Sequence, residues 1–109
     1  MVNKEGQEVI IWTGRGCSAC VQAKQFFERK RIEYTERRLK TDRVTQTTFM
    51  RATGGAKTVP QIFIGRVHVG GLDDLVNMDR RGELEAVLSG EEVASPPSLW
   101  RRLFRSRTP

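Results

Sequence analysis

Cys17-Ser18-Ala19-Cys20 follows the apolar run Val9-Ile10-Ile11-Trp12 across the short link Thr13-Gly14-Arg15-Gly16, and this arrangement restricts both fold and chemistry. Two thiols three residues apart at the start of a helix can attack, hold and resolve a disulfide within one turn. A strand leading into such a helix makes the pair a redox motif candidate and not a structural crosslink. The thiolate is the nucleophile, so the question is which cysteine has the lowered pKa. Cys17 falls at the helix N-terminus, where unpaired N–H groups and the dipole stabilise negative charge. Arg15, two residues upstream, offers a cation nearby. Cys20 sits one turn deeper and is shielded. Cys17 is therefore read as nucleophile and Cys20 as resolving thiol.

The chain has 109 residues, room for one compact domain. Both of its cysteines lie in the one motif, whereas a disulfide-stapled secreted domain spreads several along the sequence. A zinc site would need two further ligands, and there is a single histidine, His68. The N-terminal segment lacks the features of a signal peptide, and no run approaches the roughly 18 apolar residues that span a membrane. These points lead to a cytoplasmic expectation. Net charge is +6, but residues 94–109 hold four arginines and no acid. The first 93 residues then carry fifteen basic side chains against all thirteen acidic ones. Nucleic acid is not an expected partner.

Glu8–Trp12 reads as a buried strand, ended by Thr13-Gly14. Residues 18–31 suit a helix packed on a sheet through Ala19, Val21, Ala23, Phe26 and Phe27, with Arg29-Lys30-Arg31 at its C-terminal end. Ile32–Leu39 alternates as a partly exposed strand, with Arg37-Arg38 on a solvated face. Asp42 caps a second helix that runs through Thr53 and stops at Gly54-Gly55. Val59–Ile64 is a second buried strand, and Gly65-Arg66 turns it into a hairpin with Val67-His68-Val69. His68 reads as an exposed residue of an edge strand without a partner in sequence. Asp73-Asp74 opens a third helix, with Asp73 read by itself as an N-cap. Arg81-Gly82 interrupts that helix, and residues 83–89 close the domain. The order β-α-β-α-β-β-α predicts an α/β, thioredoxin-like fold: a four-stranded mixed sheet flanked by helices. The domain spans 1–93, and 94–109 forms a basic, proline-containing tail.

The ordered blocks W-T-x-x-x-C-x-x-C (12–20), T-V-P-Q-I-F-I-G (58–65), G-G-L-D-D-L (70–75) and D-R-R-G-E-L (79–84) resemble the glutaredoxins over roughly residues 8–90. The resemblance implies a glutathione-dependent thiol–disulfide oxidoreductase, active as a monomer on protein–glutathione mixed disulfides and on protein disulfides. It implies a cis peptide bond at Val59-Pro60. Thr58, Val59 and Pro60 would then meet the cysteinyl part of glutathione, as a strand edge meets an extended peptide. Gly71, Leu72 and Asp73 would hold the γ-glutamyl end, with N–H groups on its α-carboxylate and the Asp73 carboxylate on its ammonium.

The chain departs from the family pattern at three places. Ser18-Ala19 replaces the frequent Pro-Tyr pair, which frees the Ser18 N–H and removes an aromatic wall. Gly14 stands where the family often has lysine, so Arg15 or Lys57 is left to meet the glycyl carboxylate, Arg15 being favoured. Thr47 stands where Gln or Arg is usual, with Arg51 as a substitute. Serine in the second motif position also resembles glutaredoxins that hold a [2Fe–2S] cluster across a dimer. In that alternative each subunit gives one thiolate, here Cys17, and two glutathiones supply the remaining sulfurs. A third alternative is a glutaredoxin-like hydrogen donor reduced by thioredoxin reductase, against which the G-G-L-D-D block argues. In the tail, Leu99, Trp100, Leu103 and Phe104 alternate with arginines, a pattern that would suit an anionic membrane surface or an acidic partner.

Overall fold

A computed structural model describes residues 6–90. The basic tail therefore lies outside the described residues. The elements run β1 (Val9–Thr13), α1 (Ser18–Arg29), β2 (Thr35–Arg38), α2 (Arg43–Thr53), β3 (Gln61–Ile64), β4 (Val67–Gly70), α3 (Leu72–Arg80) and α4 (Leu84–Ser89). Four strands form one sheet in the order β2-β1-β3-β4. β1 pairs in parallel with β2 and antiparallel with β3, and β3 pairs antiparallel with β4. This is the expected mixed sheet with flanking helices.

Strand alternation divides the molecule into two layers. Val9 and Ile11 lie opposite Ile64 and Ile62 in the register, so these four share one face. That face is covered by Ala23, Phe26 and Phe27 of α1, by Leu75 and Met78 of α3, and by Leu84, Val87 and Leu88 of α4. Trp12 lies opposite Gln61 and Ile10 opposite Phe63, so they share the other face. There Trp12 meets Phe49 of α2 edge to face, with ring centroids 5.4 Å apart.

Several local expectations shift. β1 extends one residue past Trp12 to include Thr13, which is buried. α1 stops at Arg29 instead of Arg31, because Arg31 turns into the left-handed region at φ 59°. Ile32 is not a strand residue: it drops into the core beside Phe27, and β2 begins only at Thr35. Val21 does not pack on the sheet and is 49% exposed. β3 starts at Gln61, after the turn that holds Val59 and Pro60. The second helix forms as expected, with the Asp42 carboxylate accepting from the Thr45 N–H at 2.9 Å and Gly54 closing it at φ 71°.

Asp73 is not the cap of α3. Gly71 holds that place, and the Asp74 carboxylate three residues on accepts the Gly71 N–H at 3.0 Å. This reach-back is the second half of a capping box. It has room to form because Gly70 lacks a side chain: a Cβ there, at φ 112°, would run into the Asp74 carboxylate.

Candidate active site

β1 delivers the chain to Gly14, and a turn through Arg15 and Gly16 sets Cys17 as the N-cap of α1. Cys17 and Cys20 are joined as a disulfide, with Cα atoms 5.2 Å apart. The two sulfurs sit in unlike surroundings. Cys20 is 2% exposed and belongs to the buried residues, whereas Cys17 is half-buried at the molecular surface. The Cys20 backbone N–H donates to the Cys17 sulfur at 3.0 Å. The first turn of α1 carries no acidic residue. When the disulfide is opened, this N–H and the helix N-terminus both favour a thiolate at Cys17.

Across from Cys17 lies the turn before β3. Val59-Pro60 is a cis peptide bond, as the resemblance implies. The Val59 carbonyl oxygen stands 3.5 Å from the Cys17 sulfur, which joins the turn to the redox pair. A groove of about 490 Å³ runs from here along the sheet end to the start of α3. Thr58, Val59, Pro60, Gly71, Leu72 and Asp73 all line it. Six residues named from sequence, separated by more than ten positions, thus come together in one groove. Asp73 is exposed in its wall, and Asp74 is engaged at Gly71.

Arg15 is exposed and lines neither this groove nor the cavity on the other side of the disulfide. Lys57, Arg51 and Thr47 are likewise exposed and absent from both linings. Gly14 faces Val59: a Cβ there would stand 3.0 Å from the Val59 Cγ2. A longer side chain at that position would press on the turn that faces Cys17.

The second cavity, about 360 Å³, is bordered by Cys17, Cys20, Val21, Lys24, Glu36 and Arg38 among others. In it the Thr13 hydroxyl donates to Glu36 at 2.7 Å, and Lys24 pairs with the same carboxylate at 3.2 Å. The Thr13 hydrogen bond, with the Lys24 hydrogen bond and charge, holds the Glu36 carboxyl below its usual range.

Sequence reasoning did not single out Ala19, Gln61, His68, Gly70 or Asp74, which also line the groove. His68 is not a solvated strand residue. It is half-buried, its Nε2 lies 2.7 Å from Gln61 Oε1, and its ring stacks on Phe63 at 4.4 Å. Burial lowers its pKa. The signal was present in Gln61, a polar residue inside the apolar run Gln61-Ile62-Phe63-Ile64 that needs a partner once buried. Among the described residues no group of three or more His, Cys, Asp or Glu side chains could hold a metal ion. An iron–sulfur cluster on this site would take the Cys17 thiolate from the chain and its other ligands from outside it.

Comparison with known proteins agrees with this geometry. The glutaredoxin family model matches residues 9–69. The glutaredoxin 1 of Rickettsia felis is 37% identical over 93 residues, covering 83% of this chain and 89% of the relative. Among solved structures, the glutaredoxin of Brucella melitensis superposes with a TM-score of 0.65 at 37% identity, covering 79% of this chain and 94% of its own. A buckwheat glutaredoxin–glutathione complex superposes with a TM-score of 0.66 at 26% identity, over 77% of this chain and 78% of its own. A buried and a half-buried cysteine at the head of one helix, matched across fold and sequence, make this chain a thiol–disulfide oxidoreductase that belongs to the glutaredoxin family.

Proposed function

We propose that this chain reduces protein–glutathione mixed disulfides and protein disulfides, with glutathione as its reductant. The observation that carries the reading is the single groove that gathers Thr58, Val59, Pro60, Gly71, Leu72 and Asp73, with the carbonyl oxygen of its Val59 standing 3.5 Å from the Cys17 sulfur. A peptide extended along the Val59 turn would put its own sulfur at Cys17. Its far end would then meet the N-terminus of α3, where N–H groups suit a carboxylate and Asp73 suits an ammonium. Glutathione is a short peptide with those ends. The buckwheat protein whose complex holds glutathione supports the same reading.

The chemistry follows from the two cysteines. The Cys17 thiolate attacks the glutathione sulfur of a mixed disulfide. A Cys17–glutathione disulfide forms as the protein thiolate leaves. A second glutathione thiolate attacks the glutathione sulfur of that adduct, releasing oxidised glutathione and restoring Cys17. On a protein disulfide, Cys17 forms a mixed disulfide with the target. Cys20 then attacks the Cys17 sulfur, closing the intramolecular disulfide and freeing the second target thiol. Glutathione later reopens it.

The two variants Cys17→Ser and Cys20→Ser test the roles. Incubated with oxidised glutathione, Cys20→Ser is expected to take up one glutathione, mapped to Cys17 by mass spectrometry, and to keep turning over a glutathionylated peptide. Cys17→Ser is expected to lose both activities. An adduct on Cys20 in the Cys17→Ser protein, with retained turnover, would overturn the assignment.

A further inference from the structure

We infer that His68 and Gln61 are positioning residues: a hydrogen-bond relay from His68 through Gln61 to the Thr58 carbonyl holds the Thr58-Val59-Pro60 turn in place against Cys17. The Gln61 Nε2 donates to the Thr58 carbonyl oxygen at 3.1 Å. An amide has one donating and one accepting end, so the Gln61 Oε1 is the acceptor toward His68. The 2.7 Å contact therefore requires the proton on His68 Nε2. The Phe63 ring, stacked at 4.4 Å and 11°, fixes the plane of the imidazole. Gln61 is 8% exposed, so its amide has little water to turn to if the relay is cut.

The relay has a clear point of application. Thr58 is the residue just before Val59, whose carbonyl oxygen faces the Cys17 sulfur at 3.5 Å. His68, Gln61, Thr58 and Val59 line the same groove. The register brings them together, since Phe63 lies opposite His68 across the β3–β4 pair and Gln61 is two residues before Phe63. Protonating His68 leaves the Nε2–H in place, so the relay does not open in acid. The effect on substrate binding rests on the glutathione reading above; the effect on the turn does not.

The test replaces His68 by Leu, His68 by Gln and Gln61 by Glu, each with its melting temperature measured and its kinetics read well below it. In the wild type, nitrogen NMR is expected to show the neutral imidazole with its proton on Nε2. In His68→Leu the Thr58 and Val59 backbone resonances should move, and the KM for a glutathionylated peptide should rise about three- to tenfold with kcat within about twofold. His68→Gln keeps an N–H donor and should recover most of the KM. Gln61→Glu still accepts from His68 but cannot donate to Thr58. It should reproduce the KM rise while moving the His68 pKa from below its ordinary value to above it. A merely structural role would lower the melting temperature without this pattern. A wild-type proton on Nδ1, or a His68→Leu protein with unmoved Val59 resonances and unchanged KM, overturns the relay. Absence of glutathione-dependent turnover in the wild type, with the NMR pattern intact, overturns the glutathione reading and leaves the relay standing.

Discussion

At Cys17 a capping position and a backbone N–H act on the same sulfur, and both favour its charged form. Glu36 nearby shows the same logic for a carboxylate. Its pKa is depressed chiefly by the Thr13 hydrogen bond, so its ionised form stabilises the fold. That stability is complete above the unfolded glutamate value of about 4.3 and is lost as pH falls through the lower, folded value. Glu36→Gln should flatten the acid limb of the stability curve, read by urea unfolding at a series of pH values. An unaltered acid limb would show that the Thr13 contact does not hold in solution. Gly70 offers a steric test. Its φ of 112° and the nearby Asp74 carboxylate leave no place for a methyl group. Gly70→Ala should therefore cost about 1 kcal/mol or more, with the loss centred on the start of α3. Of the individual residues, the cysteine pair was legible from sequence as a redox motif. Asp74 in place of Asp73 as the carboxylate that secures α3 was not. Two adjacent aspartates look alike on paper, and only the path of the preceding glycines decides which one turns back to the Gly71 N–H.

Helix α2 is held differently from its neighbours. It buries Phe49 and Thr53, while Val44 and Met50 remain exposed. α1 by contrast buries Cys20, Ala23, Phe26 and Phe27, and α3 buries Asp74, Leu75 and Met78. With less apolar surface buried, α2 should open at lower free energy than the other two. Amide hydrogen exchange is expected to be fastest there among α1, α2 and α3, and Phe49→Ala should quicken it further by emptying the contact with Trp12. Equal protection of α2 and α1 would contradict this. The elements themselves were readable because caps and glycines mark their ends: Asp42 and Gly54 bound α2 in sequence and in structure alike. Ile32 and Val21 were misread for a common reason. An apolar side chain is read as core of the nearest element, yet Ile32 fills the core from a loop and Val21 sits on the exposed face of α1, bordering the cavity beside Cys17.

Over the whole molecule, the sheet order β2-β1-β3-β4 is what turns scattered motifs into one site. β1 and β3 are neighbours, so the turn after β1 and the turn before β3 meet at one end of the sheet. Cys17 and Val59 face each other there. β4 lies beyond β3 and ends at Gly70, which puts the start of α3 at the same end. The fold class followed from the order of the strands and helices, and this convergence was implied by the family resemblance. The His68–Gln61 contact did not, because it depends on strand register and on a bulge between Ile62 and Phe63 that no composition reports. The central claim is that the groove whose Val59 faces Cys17 serves glutathione. The most direct measurement is glutathione-dependent reduction of a glutathionylated peptide, coupled to glutathione reductase and followed through NADPH. Sustained turnover that disappears in Cys17→Ser is the expected result. No turnover by the fully reduced wild-type protein would contradict it and point to another electron donor or to cluster transfer.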